Sequence, residues 1–246
     1  MQTIDDVVEK LYKFTQDTIA DYDPLGYFAA LYYQVTVKVR DDIRLRRFEN
    51  PDRMELLGAI FAKRYFDAMS SYLSKQTPSK SWSAAFDVVD DYWLNVFQHL
   101  MTGMNAHINL DLGIAAAQVG GDEIEDLKAD FFKINEILAS MVHKVENDYA
   151  EIWPTLRFIL KFAGRADNFL IDFSMQHARD GAWAFAVELA KTPEERREAL
   201  IQLRDQKVAQ KSKLITNPGF LPSFIFKIMR IGETGNVPSK IKCLLD

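Results

Sequence analysis

The sequence predicts an all-α fold, a single-domain bundle of several helices that spans residues 1–246. Apolar residues recur at three- and four-residue spacing in nearly every long segment, which is the period of one helix face. No Asn-Gly or Asp-Gly turn joins two alternating runs, as a β-hairpin would require. Since 48% of the residues are hydrophobic and 12% are aromatic, the chain is long and apolar enough for one large core.

A capping residue and two prolines mark the starts of the second and third helices. Asp23 suits the N-cap of a helix and Pro24 suits its first turn, so a second helix is expected to begin there. A third helix begins at a second proline. The predicted helices cover residues 3–20, residues 24–47 and residues 51–74.

The fourth predicted helix is the long central helix of the bundle. It begins near Trp82, after a loop rich in Pro, Ser and Lys, and continues to about Val119. Gly120 and Gly121 end it, because paired glycines favour a turn. This predicted helix, residues 82–119, contains the polar stretch GMNAHINLDLG.

Two further helices are predicted over residues 122–150 and 155–190, and a third follows the stretch KTPEERREAL. In that stretch the spacing predicts a capping box, with Thr192 as the N-cap, Pro193 at the first helical position and Glu195 at the third. The charged residues that follow are typical of a solvated surface helix.

A C-terminal strap or lid is predicted over residues 217–246, where Pro and Gly flank a short aromatic helix. We expect it to pack across the bundle. Membrane binding by this segment is the less favoured alternative, because it is short and carries few basic residues on a polar face.

Composition excludes several classes of partner and location. The net charge of −5, with both signs interspersed, gives no reason to expect nucleic acid or an anionic membrane surface. No apolar run approaches the roughly 18 residues of a transmembrane helix, and the N-terminus lacks the pattern of a secretory signal. The lone Cys243 cannot form an intrachain disulfide. We therefore expect a cytoplasmic protein without a nucleic-acid partner or a transmembrane segment.

Common catalytic motifs are missing from the sequence. There is no Gly-x-Gly-x-x-Gly, P-loop, Gly-x-Ser-x-Gly or His-Glu-x-x-His stretch. None of the four histidines has a glutamate three positions before it, so the sequence does not predict a ferritin-like di-iron site. With one cysteine, a thiolate metal site is also excluded.

The stretch GMNAHINLDLG carries the main candidate site. His107 and Asp111 lie one helical turn apart and can share a metal or form an oriented imidazole–carboxylate couple. Asn105 and Asn109 form a second pair on another side of the helix, and we expect them to bind a ligand if the site is functional. Gly103 would leave room for a ligand or a neighbouring helix. Structural bracing by a hydrogen-bonded network is the alternative for all four polar residues.

Candidate partners for this site lie elsewhere in the chain. If the helix containing His177 packs against the central helix, His177 would join His107 and Asp111 in a two-His, one-carboxylate set for Fe, Mn or Zn. The alternative is that His177 lies on the surface of its helix. Arg64 would bind a carboxylate or phosphate through its planar fork, or else pair internally. The pocket of an apolar ligand would draw on large side chains: Tyr33, Trp93, Met104 and Trp183.

Several phrases together resemble a bacterial domain-of-unknown-function family with a Gly-Met-Asn-Ala-His-Ile-Asn-x-Asp-Leu core. They are YYQVTVKV, FAKRYFDAM, FQHLMTGMNAHINLDLGIAAA and RDGAWAFAVEL. The resemblance covers roughly residues 20–190. It implies a helical fold, within a family to which no activity is assigned. The four polar residues of GMNAHINLDLG belong to the motif, and the resemblance implies no catalytic role for them.

Two functional hypotheses follow from the sequence. In the first, the protein is a small-molecule enzyme in which His107 and Asp111, joined by His177, hold a divalent metal or act as acid and base on an apolar substrate. In the second, it is a non-catalytic binding or scaffold protein whose motif residues form a structural hydrogen-bond network.

Overall fold

The computed structural model describes residues 3–134, 137 and 175–245. Within these ranges the chain forms helices and their connections, without any strand, and the predicted all-α class is confirmed. Most of the two helices predicted over residues 122–150 and 155–190 lies outside the described residues.

The N-terminal half contains short and long helices in succession. They are α1 (Ile4–Asp21), α2 (Gly26–Arg44), α3 (Pro51–Leu73), α4 (Lys80–Phe86), α5 (Val96–Ala106), a π-helical segment (His107–Leu112), α6 (Gly113–Gly120) and a 3₁₀ segment (Gly121–Leu127). The C-terminal part contains α7 (Met175–Lys191), α8 (Glu194–Thr216), α9 (Phe220–Gly232) and α10 (Val237–Leu245).

Side chains cap α1 and α3, whereas α2 begins at Gly26, two residues after the predicted Pro24, without a side-chain cap among the described residues. Thr3 forms a capping box with Asp6 at the start of α1. The Asp23 carboxylate accepts the N–H of Leu25 at 2.9 Å, one residue before α2. Asn50 caps α3, with Pro51 at its first position. These caps satisfy donors that a helix cannot satisfy itself.

The predicted single helix over residues 82–119 is wrong, because residues 87–95 separate α4 from α5. Asn95 is the reason. Its side chain accepts the N–H of Gln98 at 2.9 Å, and the Gln98 side chain accepts the N–H of Asn95 at 3.3 Å. This capping box starts a new helix. From Val96 the helical path continues through the π-helical segment to Gly120.

The capping box predicted at Thr192 is also wrong. The Thr192 hydroxyl donates to the carbonyl of Glu188 at 2.7 Å, so it serves the end of α7 rather than the start of α8. Pro193 precedes α8 in an extended conformation, and α8 has no side-chain cap. The first turns of α8 are exposed, as predicted for a surface helix.

Three buried acidic side chains cap helices that are distant in sequence. Asp130 accepts the N–H groups of Glu49 and Asn50 just before α3, at 2.7 and 2.9 Å. Asp205 accepts the N–H groups of Lys80 and Ser81 at the start of α4. Glu233 accepts the N–H of Val96 at the start of α5. A carboxylate is favourable at a helix N-terminus, where free N–H groups and the helix dipole meet.

The C-terminal helices α9 and α10 pack on α2 and α5. Phe226 and Met229 of α9 and Ile241 of α10 join a buried cluster with Tyr27 and Leu100. The residues predicted to form a strap or lid thus include two helices, α9 and α10, each with side chains in this cluster. None of the described helices combines the length and the apolar character needed to cross a membrane.

Candidate functional site

The GMNAHINLDLG motif forms the buried middle of the helical path between Val96 and Gly120. All six residues of the π-helical segment are buried. A π-helical turn changes the direction in which side chains project, and such turns are frequent at functional sites. The motif therefore presents its polar groups to several neighbouring helices at once.

Asp111 is the centre of the polar cluster. One carboxylate oxygen accepts from Arg64 Nε of α3 at 2.8 Å, and the other accepts from Trp82 Nε1 of α4 at 2.8 Å. The second oxygen also lies 3.2 Å from His107 Nδ1. The predicted His107–Asp111 pair is thus within hydrogen-bond distance, and Arg64 pairs with its carboxylate. Asp111 is 1% exposed, so its charge is compensated almost entirely by these donors.

His107 lies in an aromatic cage. Its ring stacks on Phe61 with centroids 3.6 Å apart, and it makes a T-shaped contact with Tyr32 in which the ring centroids are 4.5 Å apart. Burial lowers the pKa of His107, an effect that Asp111 opposes and Arg64 reinforces. The cage is completed by Phe28, Tyr65 and Trp82.

The tautomer of His107 follows from its partner. A carboxylate only accepts hydrogen bonds, so a neutral His107 carries its proton on Nδ1 and a lone pair on Nε2. Nε2 is buried and has no hydrogen-bond partner among the described residues. An imidazole oriented by a carboxylate in this way has the geometry of a general base.

A small cavity lies beside the cage. Its lining includes Phe28, Tyr65, Trp82 and His99, and its volume is about 20 Å³. The Tyr65 hydroxyl is buried and has no partner within the described part of the chain, and burial raises its pKa well above the ordinary value. A cavity of this size admits a water molecule but not an organic ligand.

Asn105 and Asn109 connect the motif to α8. The Asn105 amide donates to the carbonyl of Val208 and to the hydroxyl of Ser212, both at 2.9 Å. Its oxygen accepts from the Asn109 amide at 3.1 Å. Arg204 of α8 donates to the Asn109 carbonyl at 2.8 Å. These bonds brace α8 against the central helical path, on a different side from His107.

His177 does not join the cluster. It lies on α7 and is exposed, whereas His107 and Asp111 are 3% and 1% exposed. The packing explains this: α7 covers Gly113, where an added Cβ would lie 2.6 Å from the Phe185 ring, while the His107 ring faces α2 and α3. The predicted three-residue set for Fe, Mn or Zn is therefore not assembled. No group of three His, Cys, Asp or Glu side chains among the described residues could hold a metal ion.

Other predicted site residues also lie apart from His107. Trp183 packs on Phe131, with ring centroids 5.0 Å apart, in a different part of the core. Tyr33 contacts Tyr12, and its neighbour Tyr32 is the tyrosine that reaches His107.

Of the two occupants predicted for the space beside Gly103, the neighbouring helix is the one observed. A Cβ at Gly103 would lie 2.6 Å from the ring of Phe28, which belongs to α2.

Sequence reasoning missed all five aromatic members of the cage, which are Phe28, Tyr32, Phe61, Tyr65 and Trp82. Phe61 and Tyr65 stand three residues before and one residue after Arg64 on α3, so helical spacing could have placed Phe61 with Arg64 on one face. Trp82 gave no such signal, because its indole reaches Asp111 only through the packing of α4.

Comparison with known proteins identifies the chain's family without an activity. No curated protein and no solved structure matches the chain. A family model does match, over residues 4–218, which extends beyond the 20–190 expected from the sequence. The chain therefore belongs to the Family of unknown function (DUF5995).

Proposed function

We propose that this protein is a non-catalytic helical binding or scaffold protein, in which the GMNAHINLDLG motif fixes the packing of the bundle. The observation that carries the proposal is the set of hydrogen-bond donors around the Asp111 carboxylate. Its two oxygens face donors from α3, α4 and the π-helical segment, at 2.8, 2.8 and 3.2 Å. A buried carboxylate shared by three elements holds them in one register.

The second polar pair supports the same proposal. Asn105 uses its amide and its oxygen on internal partners, and it ties α8 to the motif. The adjacent cavity is too small for an organic substrate. The polar groups of the motif are thus used mainly on the protein's own helices.

A double-mutant cycle on the two donors to Asp111 tests the proposal. Arg64→Met and Trp82→Phe each remove one donor and keep most of the side-chain volume. If the cluster is a structural unit, the two substitutions should be coupled by about 0.5–3 kcal/mol in the free energy of unfolding. The matched control pairs Arg64→Met with Trp93→Phe, a partly exposed tryptophan outside the cluster, and should be additive. Additivity in both pairs would refute the proposal.

An acid–base enzyme is the second candidate. It is favoured by Nε2 of His107, which has no hydrogen-bond partner among the described residues. Catalytic groups often reduce stability, so replacing one tends to leave the protein as stable or more stable. We expect His107→Asn to lower the free energy of unfolding by more than about 1 kcal/mol under the structural proposal. A variant as stable as the parent, combined with loss of an activity found in a substrate screen, would establish the enzyme instead.

A further inference from the structure

The outer face of α9 is apolar and exposed. Phe220 is 91% exposed, Leu221 59%, Phe224 56%, Ile228 41% and Ile231 74%. The inner face of the same helix is buried through Phe226 and Met229. Because α9 is apolar on both sides, packing on α2 and α5 accounts for only one of its two faces.

Two aromatic residues before α5 extend this face. Tyr92 is 69% exposed and Trp93 is 47% exposed. Arg230 of α9 donates to the Tyr92 carbonyl at 2.7 Å, and its guanidinium lies 4.8 Å from the ring centroid. Lys227 lies 5.6 Å from the Trp93 ring. We call these seven residues the α9 face: Tyr92, Trp93, Phe220, Leu221, Phe224, Ile228 and Ile231.

The segment that carries five of the seven residues of the α9 face is basic, whereas the exposed Asp90 and Asp91 precede the other two, Tyr92 and Trp93. Residues 206–232 contain no Asp or Glu, although the whole chain has 35 acidic residues and 30 basic ones. The basic residues of this segment are Lys207, Lys211, Lys213, Lys227 and Arg230. All but Arg230 are exposed. The net charge of −5 therefore conceals a basic segment next to an apolar face.

The exposed apolar residues and the basic segment together favour one kind of partner. A second copy docking helix to helix through α9 would bring the basic residues Lys227 and Arg230 of both copies together, which disfavours self-association. An amphipathic helix with exposed Phe, Leu and Ile, flanked by Lys and Arg, is the form of helix that lies in a membrane interface. Trp and Tyr side chains are enriched at the same depth, where an apolar ring and a polar group are both satisfied.

We propose that α9 docks the protein on the surface of an anionic phospholipid membrane. The apolar residues of the α9 face enter the boundary between head groups and acyl chains, and the lysines of α8 and α9 approach the anionic head groups. The helix is held for this contact by its inner face and by Glu233, which accepts from Val96 N–H and Lys240 Nζ at 2.6 and 2.7 Å. This inference goes beyond the proposed function and uses none of the residues around Asp111.

Vesicle sedimentation with the full chain tests the proposal. The protein should sediment with vesicles of phosphatidylcholine and phosphatidylserine, and at least tenfold less with vesicles of phosphatidylcholine alone. Binding should weaken at high salt, because exposed charges are screened. Phe224→Ser/Ile228→Ser should reduce binding at least tenfold. The matched control, Leu56→Ser/Leu73→Ser, alters two similarly exposed leucines of α3 and should bind like the parent.

Three outcomes would overturn the proposal. They are no binding to either vesicle, equal binding by the Phe224→Ser/Ile228→Ser variant and the parent, and a parent dimer that this variant dissociates in gel filtration. The last would assign the face to a second copy. If the double variant fails to fold, Phe220→Ser takes its place, because that side chain is 91% exposed and its loss should leave the fold intact. It should still weaken binding to anionic vesicles at least twofold.

Discussion

The cluster around Asp111 and the α9 face depart from ordinary burial in opposite directions. In the first, charged and polar groups lie inside the protein, and Asp111 is 1% exposed. In the second, large apolar side chains lie outside, and Phe220 is 91% exposed. Buried polar groups and exposed apolar patches are the two informative exceptions to the rule that apolar residues are inside.

The two regions differ in where their partners are found. Asp111, Asn105 and Asn109 have internal partners from three other helices and from one another. The outer residues of α9 have no comparable cover within the described part of the chain. The cluster around Asp111 therefore stabilises the fold itself, whereas the α9 face is available for contact with another molecule.

The largest expected effect is the loss of the central carboxylate. Asp111→Ala should lower the free energy of unfolding by about 3–5 kcal/mol, because Arg64, Trp82 and His107 lose their acceptor inside the protein. Urea unfolding followed by circular dichroism measures this. The matched control is Asp67→Ala, which breaks an exposed pair with Lys63 and should change stability by less than about 1 kcal/mol. Equal losses in both variants would refute the central role of Asp111.

Acid should destabilise the protein through His99, which lies between the two regions. Burial lowers the pKa of His99 to about 4, with further lowering by Arg230 and Lys240 and an opposing effect of Asp91. Between pH 6.5 and 4 the unfolded chain then binds more protons at this site than the folded chain, so stability falls as the pH falls.

The contribution of His99 should amount to about 3 kcal/mol across that interval. Urea unfolding at pH 7 and pH 4.5 measures it. In His99→Phe, which keeps a ring but cannot be protonated, the loss of stability between the two pH values should be clearly smaller. A variant with the same pH dependence as the parent would exclude His99 as the source.

A smaller loss of stability is expected when the hydrogen bonds from Asn105 to α8 are removed. Asn105→Ala should lower the free energy of unfolding by about 1–3 kcal/mol, because it removes the bonds to Val208 and Ser212 and the acceptor of the Asn109 amide. Asn217→Ala, at the exposed end of α8, is the control and should have little effect. Hydrogen exchange should also show faster opening of α8 in Asn105→Ala. Unchanged hydrogen-exchange rates in α8 would mean that Asn105 does not stabilise the packing of that helix.

The smallest effect on stability is expected on the α9 face. Phe224→Ser should change the free energy of unfolding by less than about 0.5 kcal/mol, because its side chain is 56% exposed. Phe226→Ala, two residues later on the inner face, should lower it by about 3 kcal/mol. Thermal melting of the two variants measures the contrast. A comparable loss in both would mean that the outer face is covered in the folded protein.

The sequence was sufficient for features that depend on neighbouring residues. The all-α class followed from helical periodicity, and Asp23 and Pro24 located the turn that precedes α2, although the helix begins two residues after Pro24. His107 and Asp111 were paired by their four-residue spacing, and the structure places them 3.2 Å apart. In each case the interacting groups lie within one or two helical turns.

The sequence did not predict contacts between residues that lie far apart in the chain. Trp82 and Arg64 reach Asp111 from positions 29 and 47 residues earlier in the chain. His177 was placed with His107 on the assumption of a particular packing, and it is exposed instead. The whole-chain charge hid the basic segment around α9, because an average over 246 residues cancels a local excess. The helical period predicts which face of its own helix a residue lies on, but it does not predict which other helix packs against that face.

The distant capping carboxylates have a consequence for the order of folding. The starts of α3, α4 and α5 depend on side chains 81, 125 and 137 residues later in the chain. During synthesis these N-termini must remain incompletely capped until Asp130, Asp205 and Glu233 leave the ribosome. Contacts of such long sequence separation slow folding, because the chain must close large loops first. We therefore expect the protein to complete its native structure only after its last helices are made, although its first helices are already encoded by local caps.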